Sequence, residues 1–246
     1  MKSIERHKLK EDEFARSVAS AREMVTTRKN DILRIVVAVV VILAIVAGYT
    51  MWRQSRNAKA DAALAGGLAI FEAPVMTPAA PAPGSPIPVQ QPGTYPTEKA
   101  KLEAALPKLL EAADAYPGSA AGIAARYYAA SALAALGRFA EAEQRYKEVV
   151  DKGGSSIYVR TARLGLADAQ AAQRKFDDAI TIYRELSTDT RGEIPVDGVL
   201  MALGRTYLQA GRKDEAARAF SRIVDEFPQS VYVNDARRER EEARKG

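Results

Sequence analysis

The sequence predicts an all-α protein, in which a single amino-terminal transmembrane helix precedes an α-solenoid of about three to four helix pairs with a carboxy-terminal capping helix. Two observations lead to this prediction. Residues 35–52 are apolar and uncharged, and a pattern of small and apolar residues recurs every 37 residues from about residue 98 onward. The chain therefore divides into a juxtamembrane arm over 1–34, an anchor over 35–52 and a repeat domain over 53–246 with a proline-rich insertion at 73–97.

The apolar run IVVAVVVILAIVAGYTMW is bracketed by Arg34 and Arg53 and has no polar face. Its length as a helix is about 27 Å, close to the thickness of the hydrocarbon core of a bilayer. A cleaved signal peptide is the alternative, but the run exceeds the usual apolar stretch of about 7 to 15 residues and a long arm precedes it. The sequence therefore favours an uncleaved anchor, with Tyr49 and Trp52 at one membrane interface.

The distribution of positive charge predicts the orientation of the anchor. Five Lys or Arg residues lie close before the run and three lie close after it, which favours a cytoplasmic amino terminus and a repeat domain outside the cytoplasm. The five are Arg16, Arg22, Arg28, Lys29 and Arg34, and the three are Arg53, Arg56 and Lys59. The opposite orientation, with a cytoplasmic receptor or regulator, stays open. The arm 1–34 is either an amphipathic helix on the inner leaflet or a solvated arm.

The composition argues against several classes of chemistry. The chain has no cysteine and a single histidine, His7, so thiolate zinc sites, thiol nucleophiles and histidine-centred sites are not expected. The charge beyond residue 52 is almost balanced, which gives no reason to expect nucleic acid as a partner. Carboxylates such as Asp177 and Asp178 fall in repeat turns, and Gly153-Gly154 lacks the residues of a phosphate loop. We expect no enzyme activity, no cofactor and no metal.

Three segments carry the repeat most clearly: GRFAEAEQRY at 137–146, RKFDDAITIY at 174–183 and GRKDEAARAF at 211–220. In these segments and the residues around them, small and apolar residues recur at spacings i, i+4 and i+7, which place them on one face of a helix. The small residues are Ala105, Ala142, Ala179 and Ala216; the next positions are Leu109, Tyr146, Tyr183 and Phe220, then Ala112, Val149, Leu186 and Ile223. Each unit also has an upstream small residue where two helices must approach closely: Ala130, Ala167 and Gly204.

The third unit reads Leu200-x-x-Leu203-Gly204-x-x-Tyr207, with Pro228 at its end, and this pattern resembles a tetratricopeptide repeat. The resemblance covers about residues 98–246. Each unit is three residues longer than the family's usual 34, so we expect the extra residues in the turns at 152–156 and 187–194.

The two ends of the repeat domain depart from the regular pattern. In the first unit, we expect the first helix at 54–73 and the second around Leu109, with Pro107 bending it or delaying its start. Between them, 73–97 holds eight of the twelve prolines and no charge, which predicts an extended, mobile spacer, or alternatively a ligand for an aromatic groove. Residues 230–246 are predicted to form a charged capping helix.

The resemblance implies a partner-binding groove along the inner wall of the stack, formed by the first helices. The inner-wall positions are Tyr127, Leu164 and Met201 at one level, Ser131, Asp168 and Arg205 at the next, and Ala134, Ala171 and Leu208 at the third. Such a row suits a hydrophobic helix or an extended peptide, and lacks the Lys, Arg and Asn of a carboxylate clamp. Alternatively, these side chains simply pack between adjacent repeats.

The layout of arm, anchor, alanine-rich helix and repeats resembles the ancillary SecYEG translocon subunit family, also called YfgM-like. This resemblance implies a single-pass protein of the bacterial inner membrane whose periplasmic domain contacts translocon subunits, envelope chaperones and exported polypeptides. The repeats also resemble those of the Tol-Pal coordinating protein and of outer-membrane-assembly lipoproteins, although the missing cysteine excludes an acyl anchor. A structural assembly subunit, with self-association, is therefore the alternative.

Overall fold

The computed structural model describes residues 29–77, 91–189 and 194–245. These residues form nine α-helices and contain no strand beyond one isolated β-bridge. The helices are α1 (Lys29–Phe71), α2 (Glu98–Ala115), α3 (Ala120–Ala135), α4 (Phe139–Lys152), α5 (Tyr158–Ala172), α6 (Phe176–Ser187), α7 (Val196–Gln209), α8 (Lys213–Glu226) and α9 (Val233–Lys245). The predicted arm lies outside the described residues as far as residue 28.

The chain forms two compact units, residues 1–56 and 57–246. In the described part of the first compact unit, residues 29–56, the helix α1 exposes its apolar side chains, such as Leu43 and Ile45. The rings of Tyr49 and Trp52 lie 6.1 Å apart, and the Arg56 guanidinium lies 5.5 Å from the centre of the Trp52 ring. By length and composition, Leu33–Phe71 is a candidate membrane span, a test that a signal sequence also passes.

In the second compact unit, residues 57–246, consecutive helices from α2 to α9 pack against one another. Short turns of one design join the helices of the three later pairs, α3 with α4, α5 with α6 and α7 with α8. The middle residue of each turn adopts a left-handed backbone conformation: Gly137 with φ 76°, Arg174 with φ 63° and Gly211 with φ 74°. The repeat pattern therefore sets the geometry of the turns as well as the faces of the helices.

The small residues of the repeat lie where the helices approach most closely. Ala105, Ala142, Ala179 and Ala216 are all fully buried, as are Ala130 and Ala167. A Cβ atom built on Gly204 would lie 2.4 Å from Cε1 of Phe220, so this crossing leaves no space for a methyl group. The predicted buried positions of the repeat are confirmed.

The extra residues of each unit lie in turns, as the sequence predicts. α4 ends at Lys152 and α5 begins at Tyr158, while α6 ends at Ser187 and α7 begins at Val196. Residues 190–193 of the second turn lie outside the described part of the chain. Because the insertions avoid the helices, the apolar faces of successive units stay in register.

The proline-rich segment does not run free over its whole predicted length of 73–97. Its ends are joined by a bridge, in which the Met76 amide donates to the Tyr95 carbonyl at 2.8 Å and the Tyr95 amide donates to the Pro74 carbonyl at 3.1 Å. These backbone hydrogen bonds hold the ends of the segment together. The structure thus ties the ends of the predicted loop together, while residues 78–90 lie outside the described part.

The first pair consists of the end of α1 and α2. A Cβ atom on Gly67 would lie 2.7 Å from Cδ2 of Leu109, so the two helices cross closely at this glycine. Pro107 does not delay α2: the helix begins at Glu98, where the Thr97 hydroxyl accepts a hydrogen bond from the Ala100 amide at 3.1 Å. Thr97 supplies an N-cap upstream of Pro107, which explains why the helix starts early.

The predicted capping helix is α9. Val233, Ala236 and Ala243 are its buried residues, whereas Arg237 and Glu242 are exposed. The helix thus has one apolar face toward α8 and a charged face toward solvent.

Candidate partner-binding site

The first helices α3, α5 and α7 carry the predicted inner-wall residues at three levels. At the first level, Tyr127 and Leu164 are half-buried, whereas Met201 is only 2% exposed and belongs to the carboxy-terminal core. Leu164 packs against that same core, while Tyr127 packs against a second core around Leu133. The structure therefore assigns Leu164 and Met201 to the same core cluster and places Tyr127 in a different one.

The polar residues of the second level all have partners within the protein. Ser131 bonds the Tyr146 hydroxyl, and the Tyr183 hydroxyl donates to Oδ1 of Asp168 at 2.6 Å. Nη2 of Arg205 donates to Oε1 of Glu239 on α9 at 2.7 Å. These side chains thus connect neighbouring helices of the stack.

Asp168 is open to solvent, yet protein surrounds much of its carboxylate. Desolvation raises the pKa of the Asp168 carboxyl, while the hydrogen bond from Tyr183 opposes the shift. A group that water reaches but protein encloses on several sides is typical of a concave surface. At the third level Ala134, Ala171 and Leu208 are half-buried, so the wall is apolar there.

Around Tyr127 the structure assembles an aromatic surface, which we call the tyrosine cluster: Tyr127, Tyr128, Tyr146 and Tyr158. The ring centres of Tyr127 and Tyr158 are 5.1 Å apart, those of Tyr127 and Tyr128 are 5.4 Å apart, and Tyr128 and Tyr158 follow at 5.9 Å. Phe71 adds an edge contact to Tyr128, at 5.4 Å between ring centres. Tyr127, Tyr128 and Tyr158 are half-buried and so keep part of their surface in solvent.

The hydroxyls of Tyr127, Tyr128 and Tyr146 stay protonated at neutral pH. Burial, with the hydrogen bond to Tyr158, raises the pKa of Tyr128 to about 12. Burial also raises the pKa of Tyr146 to about 12 and raises that of Tyr127. The cluster therefore offers neutral hydroxyl groups together with ring faces, a combination that binds peptide carbonyls and apolar side chains.

The sequence indicates only part of this cluster. Tyr127 is an inner-wall position and Tyr146 a repeat position, but Tyr128 and Tyr158 occupy neither. The sequence signal that indicates Tyr128 is its position next to Tyr127, because two adjacent aromatic residues lie at the centre of one helix. Within the described ranges, no group of three or more His, Cys, Asp or Glu side chains could hold a metal ion.

The stacked helix pairs define the chain as an α-solenoid protein. The family model described as the tetratricopeptide repeat matches residues 127–193 and 164–231. Residues 127–231 thus match tetratricopeptide repeats, and such repeats indicate an interaction scaffold with protein partners, typically without enzyme activity.

No curated protein matches the chain. Two similar solved structures are crystal structures from Podosopora anserina, described as a putative kinesin light chain with nearly identical TPR-like repeats, one of them a variant with a single substitution. Each is 15% identical, covers 59% of this chain and has a TM-score of 0.48; the match spans 82% of the variant chain and 83% of the other.

Proposed function

We propose that this protein is an inner-membrane-anchored, envelope-facing scaffold for protein export, which binds segments of translocon subunits, envelope chaperones or newly exported chains. The tetratricopeptide repeats support binding of proteins, and the apolar helix α1 supports an anchor. The layout of arm, anchor and repeats supports the envelope setting. This function requires no catalytic residue.

The tyrosine cluster is the observation that carries the proposal. Its partly exposed rings, those of Tyr127, Tyr128 and Tyr158, lie on the first helices α3 and α5, and Tyr127 is itself an inner-wall position of the resemblance. Rigid aromatic side chains with a polar tip dominate many protein interfaces, because they bury a large area and lose little conformational entropy. We place the primary contact with a partner segment at Tyr127, Tyr128 and Leu164.

Photo-crosslinking in living cells tests this function. A photoreactive phenylalanine analogue replaces Tyr128 or Leu164 in the full chain, and Gln144, an exposed residue of the second helix α4, serves as the matched control position. We expect translocon subunits, envelope chaperones or a range of exported proteins among the adducts at Tyr128 and Leu164, and none of them at Gln144.

Two other results would each replace the proposal. One dominant envelope protein in stoichiometric complex, unaffected when protein synthesis stops, would indicate a structural assembly subunit. Adducts with cytoplasmic proteins alone would indicate a cytoplasm-facing receptor.

A further inference from the structure

A cavity of about 450 Å³ lies on the second-helix side of the stack, away from the tyrosine cluster. It is bounded by α6, α7 and α8. Leu203 and Tyr207 of α7, only 4% and 6% exposed, form a small apolar floor above the fully buried Leu200. Glu215 and four arginines line the rim, and the arginines are Arg184, Arg212, Arg218 and Arg222. We call it the arginine pocket.

The rim carries positive charge that the protein does not fully neutralise. Arg212 pairs with Glu215 at 3.0 Å, and Arg222 pairs with Glu226 at 2.7 Å. Arg184 and Arg218 are both exposed, and neither makes an ion pair with an acidic residue in the described part of the chain. Two guanidinium groups are thus available at the mouth of one cavity.

A comparison of the repeats shows that this charge arrangement is specific to the pair α7 and α8. In the pair α3 and α4, Arg126 pairs with Glu148 at 2.7 Å, and in the pair α5 and α6, Arg163 pairs with Glu185. The equivalent positions of α7 and α8 are Leu200 and Arg222. The interhelix ion pair is therefore replaced by an apolar residue and a cation, both of which line the pocket.

The departure has a partial compensation, because Arg222 pairs with Glu226, but it leaves the rim with more arginines than carboxylates, and a local departure from a repeated pattern is typical of a functional site. The guanidinium fork suits a planar carboxylate, and the apolar floor beneath it suits an aliphatic or aromatic side chain. We propose that the arginine pocket binds an acidic peptide segment of a protein partner, with carboxylates on Arg184 and Arg218 and an apolar side chain against the exposed edges of Leu203 and Tyr207. This site is separate from the tyrosine cluster and does not depend on the function proposed for it.

The test selects short peptides from a random library displayed on phage, with the full chain in nonionic detergent as the target. A parallel selection uses the double variant Arg184→Gln/Arg218→Gln. We expect Asp and Glu, next to Leu or Phe, to be enriched on the wild-type chain alone. A labelled peptide of the enriched sequence should bind the double variant on the order of tenfold more weakly, because two charge-assisted contacts are lost. Its binding should also weaken as salt is raised.

Two further variants test whether peptide binding depends on the arginine pocket. Arg237→Gln removes an exposed arginine of α9 outside the pocket and should bind the peptide like the wild type. Leu200→Arg/Arg222→Glu restores the ion pair of the α3–α4 and α5–α6 pairs and places a negative charge on the rim, so it should weaken binding, while circular dichroism reports the helical content. A selection without acidic enrichment, or equal affinity of the wild type and Arg184→Gln/Arg218→Gln, would overturn the proposal. Binding of inorganic phosphate or phosphatidylglycerol vesicles that requires Arg184 and Arg218, without binding of any acidic peptide, would overturn it too.

Discussion

Arg126 places a guanidinium group inside the protein, where its side chain is 2% exposed. Its Nη2 donates to the Ala113 carbonyl at 2.9 Å, and its Nε lies 2.7 Å from Oε2 of Glu148. The residue thus joins α2, α3 and α4 through one side chain. A buried charge of this kind is tolerated only while its partner is present.

Glu148→Gln should therefore destabilise the fold. The substitution removes the counter-charge of Arg126, and we expect the free energy of unfolding to fall by about 1–3 kcal/mol, less than for a fully buried pair because Glu148 is partly solvated. Urea unfolding followed by circular dichroism measures the change. Glu141→Gln is the matched control, because its pair with Arg138 is exposed and should matter little. Equal loss in both variants would contradict the role of Arg126.

Gly204→Ala should also destabilise the fold, for a steric reason. The new methyl group would meet the ring of Phe220 at 2.4 Å, and we expect a loss of about 1–3 kcal/mol from overpacking. The substitution Phe220→Leu should destabilise the Gly204→Ala variant less than it destabilises the wild type. Thermal unfolding of the wild type, the two single variants and the double variant measures the coupling energy between the two sites.

Gly198→Ala is the control for this pair on the same helix. The nearest atom to its Cβ is Cε2 of Tyr232 at 3.7 Å, an ordinary contact. Alanine should then raise stability by up to about 1 kcal/mol through helix propensity. A similar loss at Gly198 and Gly204 would show that the Phe220 contact is not the cause.

At the scale of elements, the turn between the two helices of a unit is the feature that recurs most faithfully. Gly137 and Gly211 supply the left-handed residue without cost, whereas Arg174 adopts the same conformation with a side chain. The repeat thus keeps the backbone geometry of the turn although one of its three glycines is replaced.

Opposite substitutions in these turns should have opposite effects. Gly211→Ala should lower the free energy of unfolding by about 1 kcal/mol, because no neighbouring atom lies within 4 Å of the new Cβ and the cost is conformational. Arg174→Gly should raise it, by less than about 1 kcal/mol, because relief of strain is partly offset by the entropy of glycine in the unfolded chain. Chemical denaturation of both variants measures the difference. A loss on Arg174→Gly would indicate that its contact with the Phe176 ring, 6.0 Å from the guanidinium carbon, outweighs the strain.

Sequence reasoning predicts the elements well and the site less well. Period and spacing identify the buried faces, because Ala142, Tyr146 and Val149 each recur at the same register. Period and spacing do not predict how deeply a side chain is buried. Tyr127 and Met201 share a repeat position, yet Tyr127 is half-buried and Met201 is buried. Periodicity also cannot predict where the units differ, and both the tyrosine cluster and the arginine pocket arise from such differences.

At the scale of the whole molecule, the topology is the property to measure, and the chain suits a simple measurement. Since it contains no cysteine, a single cysteine at Arg237, on the exposed face of α9, is its only thiol. In intact cells we expect a membrane-impermeant maleimide to label Arg237→Cys, because we propose that the repeats lie outside the cytoplasm. Labelling only after the cells are broken would reverse the orientation. Extraction of the unlabelled chain by alkaline carbonate would argue against an anchor.

A stack of similar units has no natural end, because each unit offers the next an apolar face. In this chain the capping helix α9 covers the final face with Val233 and Ala236 and turns charged residues such as Arg237 and Glu242 outward. A second copy therefore meets charge where it would need an apolar surface to continue the stack. We therefore expect that a second copy does not extend the stack through α9.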